Sequence, residues 1–228
     1  MLSLLLPRRC VHCEEPTTQS WLLKRSDYPL AHYLCVNCSR ILEADETPNS
    51  SEIQHKARRI SNLEIEGAFA TFNFMDESPV QSILHSLKYD GMMRLGRVLG
   101  ALSFEHVGVH CDSIVPVPLH RTRHAERGYN QAEVIAKGLG RLLHADIVHA
   151  SKRIRPTPTQ TRLSLPERIE NVRGAFALTR YAKQIENKDV LVIDDVMTTG
   201  ATIVSVCETI AEAKPKSISI LAIAAVTL

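Results

Sequence analysis

The sequence predicts an α/β fold: one Rossmann-like parallel sheet preceded by a small cysteine-bearing module. Three observations predict it. Val190-Leu191-Val192-Ile193 is a run of four apolar residues, three of them β-branched, and reads as a strand buried on both faces, as in a parallel sheet. From Gly67 onward, strand-like and helix-like apolar patterns alternate with short connections, the rhythm of a wound βα sheet. Ahead of that lie two Cys-x-x-Cys pairs, Cys10 with Cys13 and Cys35 with Cys38, in mixed polar sequence too short to build a core.

At 228 residues the chain accommodates one well-buried α/β domain and a small appendage. A formal charge of +2 is nearly balanced and carries no global signal for nucleic acid. Leu2, Leu4, Leu5 and Leu6 make an apolar start that Pro7, Arg8 and Arg9 cut short, so neither a signal peptide nor a membrane span is expected and the cytoplasm is the default. Of the six cysteines, the two knuckles, 21 residues apart, suit a tetrahedral thiolate site for zinc (Zn), which a reducing compartment favours over disulfides. Metal binding would supply folding free energy that so short a segment lacks. His12 and His32 would become ligands only if a cysteine failed. Cys111 and Cys207, alone in apolar surroundings, read as small core residues.

The expected organisation is a zinc ribbon over 1–45, a linker or irregular segment over 46–66 and an α/β domain over 67–228. Glu43 to Glu52 is acidic and rich in turn formers, which supports the linker. Ala68 to Phe74 alternates as a strand. Pro79 opens a helix to Tyr89 with Val80, Ile83, Leu84 and Leu87 inward and His85 partly buried, and Gly91 to Leu102 continues as a second helical piece. Asp112 to Pro116 reads as a short parallel strand entering a stiff loop, where either proline could be cis. A helix follows over Ala132 to Leu143, with Val134, Ile135, Leu139 and Leu142 on its buried side. Asp146 to Ala150 and Gly174 to Leu178 are short strands. Between them, residues 152–163 form a basic, proline-rich loop with little apolar surface to anchor it, and Leu165 to Val172 a short helix. The chain ends as helix Ala201 to Ala213 and strand Ser217 to Val226.

The stretch after the buried strand carries the chemistry. Asp194 and Asp195 fall at the carboxyl end of the strand, where open α/β sheets place ligands. Thr198, Thr199, Gly200, Ala201 and Thr202 then lead into a helix. Hydroxyls, a glycine and unpaired helix N–H groups together form a phosphate cradle. Carboxylates beside a phosphate need another task, either a sugar diol or a magnesium ion (Mg). The bland alternative is a polar turn and a capped helix, but two adjacent carboxylates at a strand end have no packing use.

In this register, the stretch resembles the 5-phosphoribosyl-1-pyrophosphate (PRPP) motif of type I phosphoribosyltransferases. The resemblance implies that Asp194 and Asp195 hold the ribose hydroxyls and help place magnesium, and that Thr198 to Thr202 hold the 5-phosphate. It also implies that the loop of Pro118, Leu119, His120 and Arg121 holds pyrophosphate, assisted by Arg123, Arg127 and Arg155. Asp194, Asp195, Arg121 and Arg155 would then be the catalytic set. Thr198 stands where purine-salvage enzymes of the hypoxanthine-guanine kind carry an Asp, which argues against that substrate class.

A closer resemblance covers nearly the whole chain. The Lys88-Tyr89 stretch, Pro116 to Arg121, Glu126 to Gln131, Thr157 to Thr161 and Asn171 to Phe176 are together similar to the competence protein F family, which joins a zinc ribbon to a phosphoribosyltransferase domain. Two functions follow from it. One is a phosphoribosyltransferase of unknown acceptor acting in competence and DNA uptake. The other is a non-catalytic adaptor that keeps the phosphosugar pocket and bridges single-stranded DNA or a membrane-associated DNA-uptake helicase through its zinc module. Either is compatible with a homo-oligomer, and with a chain that is not itself a membrane protein but is peripheral at the inner membrane face through partners.

Overall fold

The computed structural model describes residues 8–17, 29–45, 47–156 and 164–227. Leu2 to Leu6 and the segment 157–163, with its Thr-Pro-Thr-Gln-Thr motif and Arg162, lie outside the described residues. A five-stranded, all-parallel sheet is made of β1 (Ala68–Asn73), β2 (Ser113–Pro116), β3 (Asp146–Ile147), β6 (Asp189–Met197) and β7 (Ser217–Ala225), in the spatial order β1-β7-β6-β2-β3. A separate antiparallel pair joins β4 (Ser151–Arg153) to β5 (Phe176–Leu178). The central strands are the near-continuous apolar runs that burial on both faces demands: Leu191, Val192, Ile193, Leu221 and Ile223 are fully buried.

One face of the sheet is covered by α2 (Ser50–Arg58), α7 (Leu165–Val172) and α8 (Ala201–Ala211), around Val190, Val192, Ile220 and Ala222. The other is covered by α3 (Pro79–Tyr89), α4 (Met93–Leu102) and α6 (Gln131–Leu143), around Leu191, Ile193, Leu221 and Ile223. The cysteine module, with α1 (Val36–Ala44), packs into this second core through Leu30, Leu34 and Leu42. The short α5 (Arg121–Arg127) buries no residue.

Several expectations need correction. The 46–66 stretch is not simply linker, because Ser50–Arg58 is helical and buries Ile53 and Ala57 against the sheet. Its start signal was present in Asn49-Ser50-Ser51-Glu52: Asn49 caps the helix by accepting from the Ser51 N–H, and Glu52 falls in the first turn. Leu142 is 45% exposed, and α6 instead buries Ala132, Ala136, Gly138 and Gly140 beside the three expected residues. His85 is exposed rather than partly buried. Residues 152 and 153 of the expected loop are not free but belong to strand β4, held by β5. Peptide bonds through Pro116 and Pro118 are trans.

The glycines of α4 and α6 explain that burial pattern. A Cβ on Gly100 would lie 2.0 Å from the Ile135 carbonyl oxygen, and one on Gly138 would lie 2.1 Å from that of Arg97. The two helices therefore meet backbone to backbone. Ala at an ordinary helix position is better than Gly by about 1 kcal/mol, but here the obstacle is main chain that cannot rotate away. Gly100→Ala and Gly138→Ala should each destabilise the fold by about 2 kcal/mol or more, as overpacking does. Urea unfolding of both variants checks this, and a midpoint at or above the parent's would refute the backbone contact.

Candidate functional site

The site is built where two neighbouring strands part. β2 pairs with β6 from Ser113↔Val190 to Pro116↔Ile193 and then ends. β6 continues to Met197, paired only with β7. From β2 the chain crosses to β3 on one side, and from β6 to β7 on the other. The gap between them is therefore a topological switch point, where open α/β sheets hold ligands. Asp194 and Asp195 are the first residues of β6 beyond the lost partner, so the strand runs four residues past the end expected from its apolar run.

The β2 side of the gap is Val117 to His120. The Val117 N–H donates to the Ile193 carbonyl at 2.9 Å, and the Val117 carbonyl accepts from Asn130 Nδ2 at 2.9 Å. Asn130 is buried and also caps α6 through the Ala132 N–H, so one side chain fixes both loop and helix. Pro118, Leu119 and His120 are half-buried, and His120 caps α5.

On the β6 side, Gly200 takes φ +88° to start α8, and a Cβ there would come within 2.6 Å of Met197 Cε. Only glycine suits both the left-handed backbone and the space. Thr199 Oγ1 accepts from the Ala201 N–H at 3.4 Å. The turn from Thr198 to Thr202 encloses a niche of about 20 Å³ with Asp194 at its rim.

Cations surround the acid pair. Lys88, at the carboxyl end of α3, places Nζ 2.9 Å from Asp195 Oδ2, with the two side chains 24% and 14% exposed. Little water screens this pair, so its Coulomb attraction is stronger than that of an exposed bridge, while burial also costs both groups hydration. Asp194 Oδ1 accepts the Asp195 N–H at 2.8 Å. Arg153 is half-buried, lies over the Phe176 ring at 5.4 Å and is within electrostatic range of Asp194 and Arg123. Burial, and then the neighbouring Asp195 charge, push the Asp194 carboxyl up to about 8 against the opposing effect of the Asp195 N–H and Lys88. Arg168 of α7 donates to Thr198 Oγ1 at 3.2 Å.

The expected cations divide. Arg123 is half-buried and lies within electrostatic range of Arg153. Arg127 turns to Gln131 and to the face of Tyr89, 5.4 Å from its centroid. Arg121 is exposed at the start of α5. Arg155 donates through Nη2 to the Asn171 and Arg173 carbonyls, closing the end of α7. Sequence reasoning missed Lys88, Arg153 and Arg168 as site residues. Lys88 belonged to a stretch already singled out, but only the fold shows which carboxylate it meets.

The cysteine cluster is a second site. The sulfur atoms of Cys10, Cys13, Cys35 and Cys38 all lie within 4.8 Å of one another, with Cys13 Sγ 3.6 Å from both Cys35 Sγ and Cys38 Sγ. A tetrahedral ion with bonds of about 2.3 Å sets its ligands about 3.8 Å apart, so the donor set fits zinc. Burial raises the Cys10 thiol, but the N–H groups of Cys13, Cys35 and His12 outweigh it and bring it down to about 7. His12 Nδ1 is engaged with Ser82 Oγ of α3 at 3.0 Å. Cys111 and Cys207 are buried, and burial pushes both thiols up, that of Cys111 to about 11, as expected of inert core residues.

The Asp194 environment predicts a pH dependence. Unfolded, such a carboxyl ionises near pH 4, whereas in the fold it keeps its proton until about 8. The folded chain holds the extra proton between those values, so this contribution to stability is full below about pH 4 and is lost as pH rises through 8. The melting temperature of the parent should therefore fall relative to that of Asp194→Asn across this window. Parallel melting curves from about pH 5 to 8 would refute it.

Comparison with known proteins agrees with this geometry. A family model described as the phosphoribosyl transferase domain matches residues 125–227, from α5 to the end of β7. Competence protein F of Haemophilus influenzae is 27% identical over 210 residues, covering 86% of this chain and 87% of that protein. The DNA utilization protein YhgH of Escherichia coli is 31% identical over 140 residues, and there the match spans only 60% of the relative's length and 57% of this chain. Competence protein ComFC of Bacillus subtilis is 32% identical over 90 residues, 40% of this chain and 34% of that one. With a four-cysteine cluster ahead of a phosphoribosyltransferase-type sheet, the chain belongs to the competence protein F family.

Proposed function

We propose that the gap between β2 and β6 binds PRPP, and that the protein acts as a phosphoribosyltransferase in DNA uptake. The observation that carries this reading is the meeting of two adjacent carboxylates with a Thr-Thr-Gly helix-start turn at the edge β2 leaves open. The 5-phosphate would sit against the N–H groups of Thr199 to Thr202, and the ribose hydroxyls would donate to Asp194 and Asp195. The diphosphate would lie toward Pro118 to Arg121, with Arg123 and Arg153 as its nearest protein cations.

Transfer replaces pyrophosphate at C1 by a nitrogen nucleophile through a transition state with positive charge on the sugar. The chain's residues contribute alignment and charge: the turn fixes the phosphate, the acids fix the ring and stabilise its developing charge, and the arginines receive the departing diphosphate. Magnesium, when carried by the ligand's own oxygens, would supply further neutralisation of the leaving group. Zinc on the four cysteines would have a structural role, since no ligand position is left open. The relatives' names, competence and DNA utilization, support a role in DNA handling, with single-stranded DNA or an uptake helicase as the partner class. A second reading, a binding protein without turnover, is favoured by the existing pairing of Asp195 with Lys88. Measuring pyrophosphate release with a panel of nitrogen nucleophiles separates the two.

Changing both Asp194 and Asp195 to Asn should weaken PRPP binding by about 1 to 3 kcal/mol, chiefly through the charged acceptor lost at Asp195, while the domain stays folded. Gly200→Val should do comparable harm through its forbidden backbone and its clash with Met197. Calorimetric titration decides; parent-like affinity in the double variant would reduce the acids to a solvated strand end. For the cysteine module, elemental analysis of protein purified without chelator should find one zinc per chain. Cys13→Ser should lower both metal content and melting temperature, and acidification should release the metal as protons compete with it for the thiolates. Substoichiometric metal in the parent would count against the assignment.

A further inference from the structure

We infer that α3 is a strut between the cysteine cluster and the acid pair, with His12 and Ser82 as its positioning residues. Zinc and the phosphosugar then each tighten binding of the other. For its ligand this proposal rests on the PRPP site above and deepens it. His12 stands in the first knuckle, between Cys10 and Cys13, and its Nδ1 is engaged with Ser82 Oγ near the start of α3 at 3.0 Å. Both side chains are half-buried. Further along the same helix, about 9 Å by its rise per residue, Lys88 places Nζ 2.9 Å from Asp195 Oδ2. Between these two ends Val80, Ile83, Leu84 and Leu87 are buried. They share one apolar cluster with Cys10, Cys35 and Cys38 and with Ile193, the residue before the acids. The Leu87 carbonyl also accepts from the Tyr129 hydroxyl. A helix packed so closely shifts as a body rather than bending.

The metal acts at one end of this body. The four sulfur atoms lie within 4.8 Å of one another, and an ion among them fixes the knuckle and therefore His12. Without the ion, thiolates at that spacing repel, and the knuckle loosens. His12 then withdraws from Ser82, α3 loses its seat, and Lys88 Nζ leaves Asp195. The acid pair presents more uncompensated negative charge to an arriving diphosphate. By linkage, a phosphosugar that favours the seated helix favours the metal-bound knuckle by the same factor.

The test is competition for zinc between the full-length protein and a zinc-selective chelating dye, with and without saturating PRPP, magnesium being present throughout. PRPP should tighten zinc binding by at least about fivefold, the lower end of ordinary coupling between sites. Calorimetric titration of PRPP into zinc-loaded and zinc-stripped protein should return the same factor. His12→Ala and Ser82→Ala keep all four cysteines and should still bind one zinc, but the factor should fall towards one. His12→Asn, whose amide reaches Ser82 much as Nδ1 does, should restore it. Zinc bound by PRPP in solution acts on all variants alike and cancels in the comparison. A factor of one in the parent, or a parent without zinc, would overturn the strut and leave the PRPP site standing. An undiminished factor in His12→Ala would overturn it too, because that is the result if zinc loss simply unfolds the chain and PRPP rescues the native state. A parent that does not bind PRPP would remove that site alone, and Asp195→Asn would then judge the strut from its far end. It should weaken zinc binding in the parent background and leave it unchanged in His12→Ala, whereas an equal effect in both, or none in either, would overturn the coupling.

Discussion

The Val117 N–H donates to the Ile193 carbonyl, and with that bond the contact between β2 and β6 is over. A strand buried on both faces and paired on both edges has no room for charge. A strand that keeps one neighbour and loses the other can carry two half-buried carboxylates at its open edge while its remaining pairing to β7, through Val196↔Ala224 and Met197↔Ala225, keeps it straight. The acid pair, the loop opposite and the helix-start turn beyond all take their positions from this parting of two parallel strands.

Placing two acids there creates an electrostatic problem that distant parts of the chain solve. Lys88 comes from α3 on one face of the sheet, and Arg153 and Arg168 come from β4 and α7, which belong with the other. The acids respond unequally, Asp194 retaining a proton that an exposed carboxyl would have lost. An anionic ligand thus meets a site whose negative charge is largely compensated, yet whose hydrogen-bond acceptors remain in place.

The parallel sheet and its central motif were legible because burial on both faces writes a contiguous apolar run, and because a phosphate turn needs a glycine at one position. The cysteine cluster was legible for a similar reason, since short knuckles constrain their own geometry. Helix α2 was not, because two inward residues in nine give almost no periodic signal and its capping residues look like a loop. Leu142 was misplaced because Gly138 brings α6 against α4 by its backbone, turning the buried stripe toward small residues. Lys88 and Arg168 were beyond sequence reasoning for a different reason. Each meets its partner only after the chain between them has folded, across 107 residues for Lys88 and Asp195 and 30 for Arg168 and Thr198.

The cysteine module shares its apolar cluster with α3 and with the sheet residues Leu191 and Leu221. It therefore has no inner surface of its own to take elsewhere. A detachable zinc-binding bead could be gained or lost by gene fusion without disturbing its host. Here, deletion would bare the aliphatic flank of α3, the same helix that delivers Lys88 to Asp195. A descendant that dispensed with the four cysteines would have to rewrite that flank in polar residues to remain soluble. The two halves of the chain are consequently bound to evolve as one heritable unit.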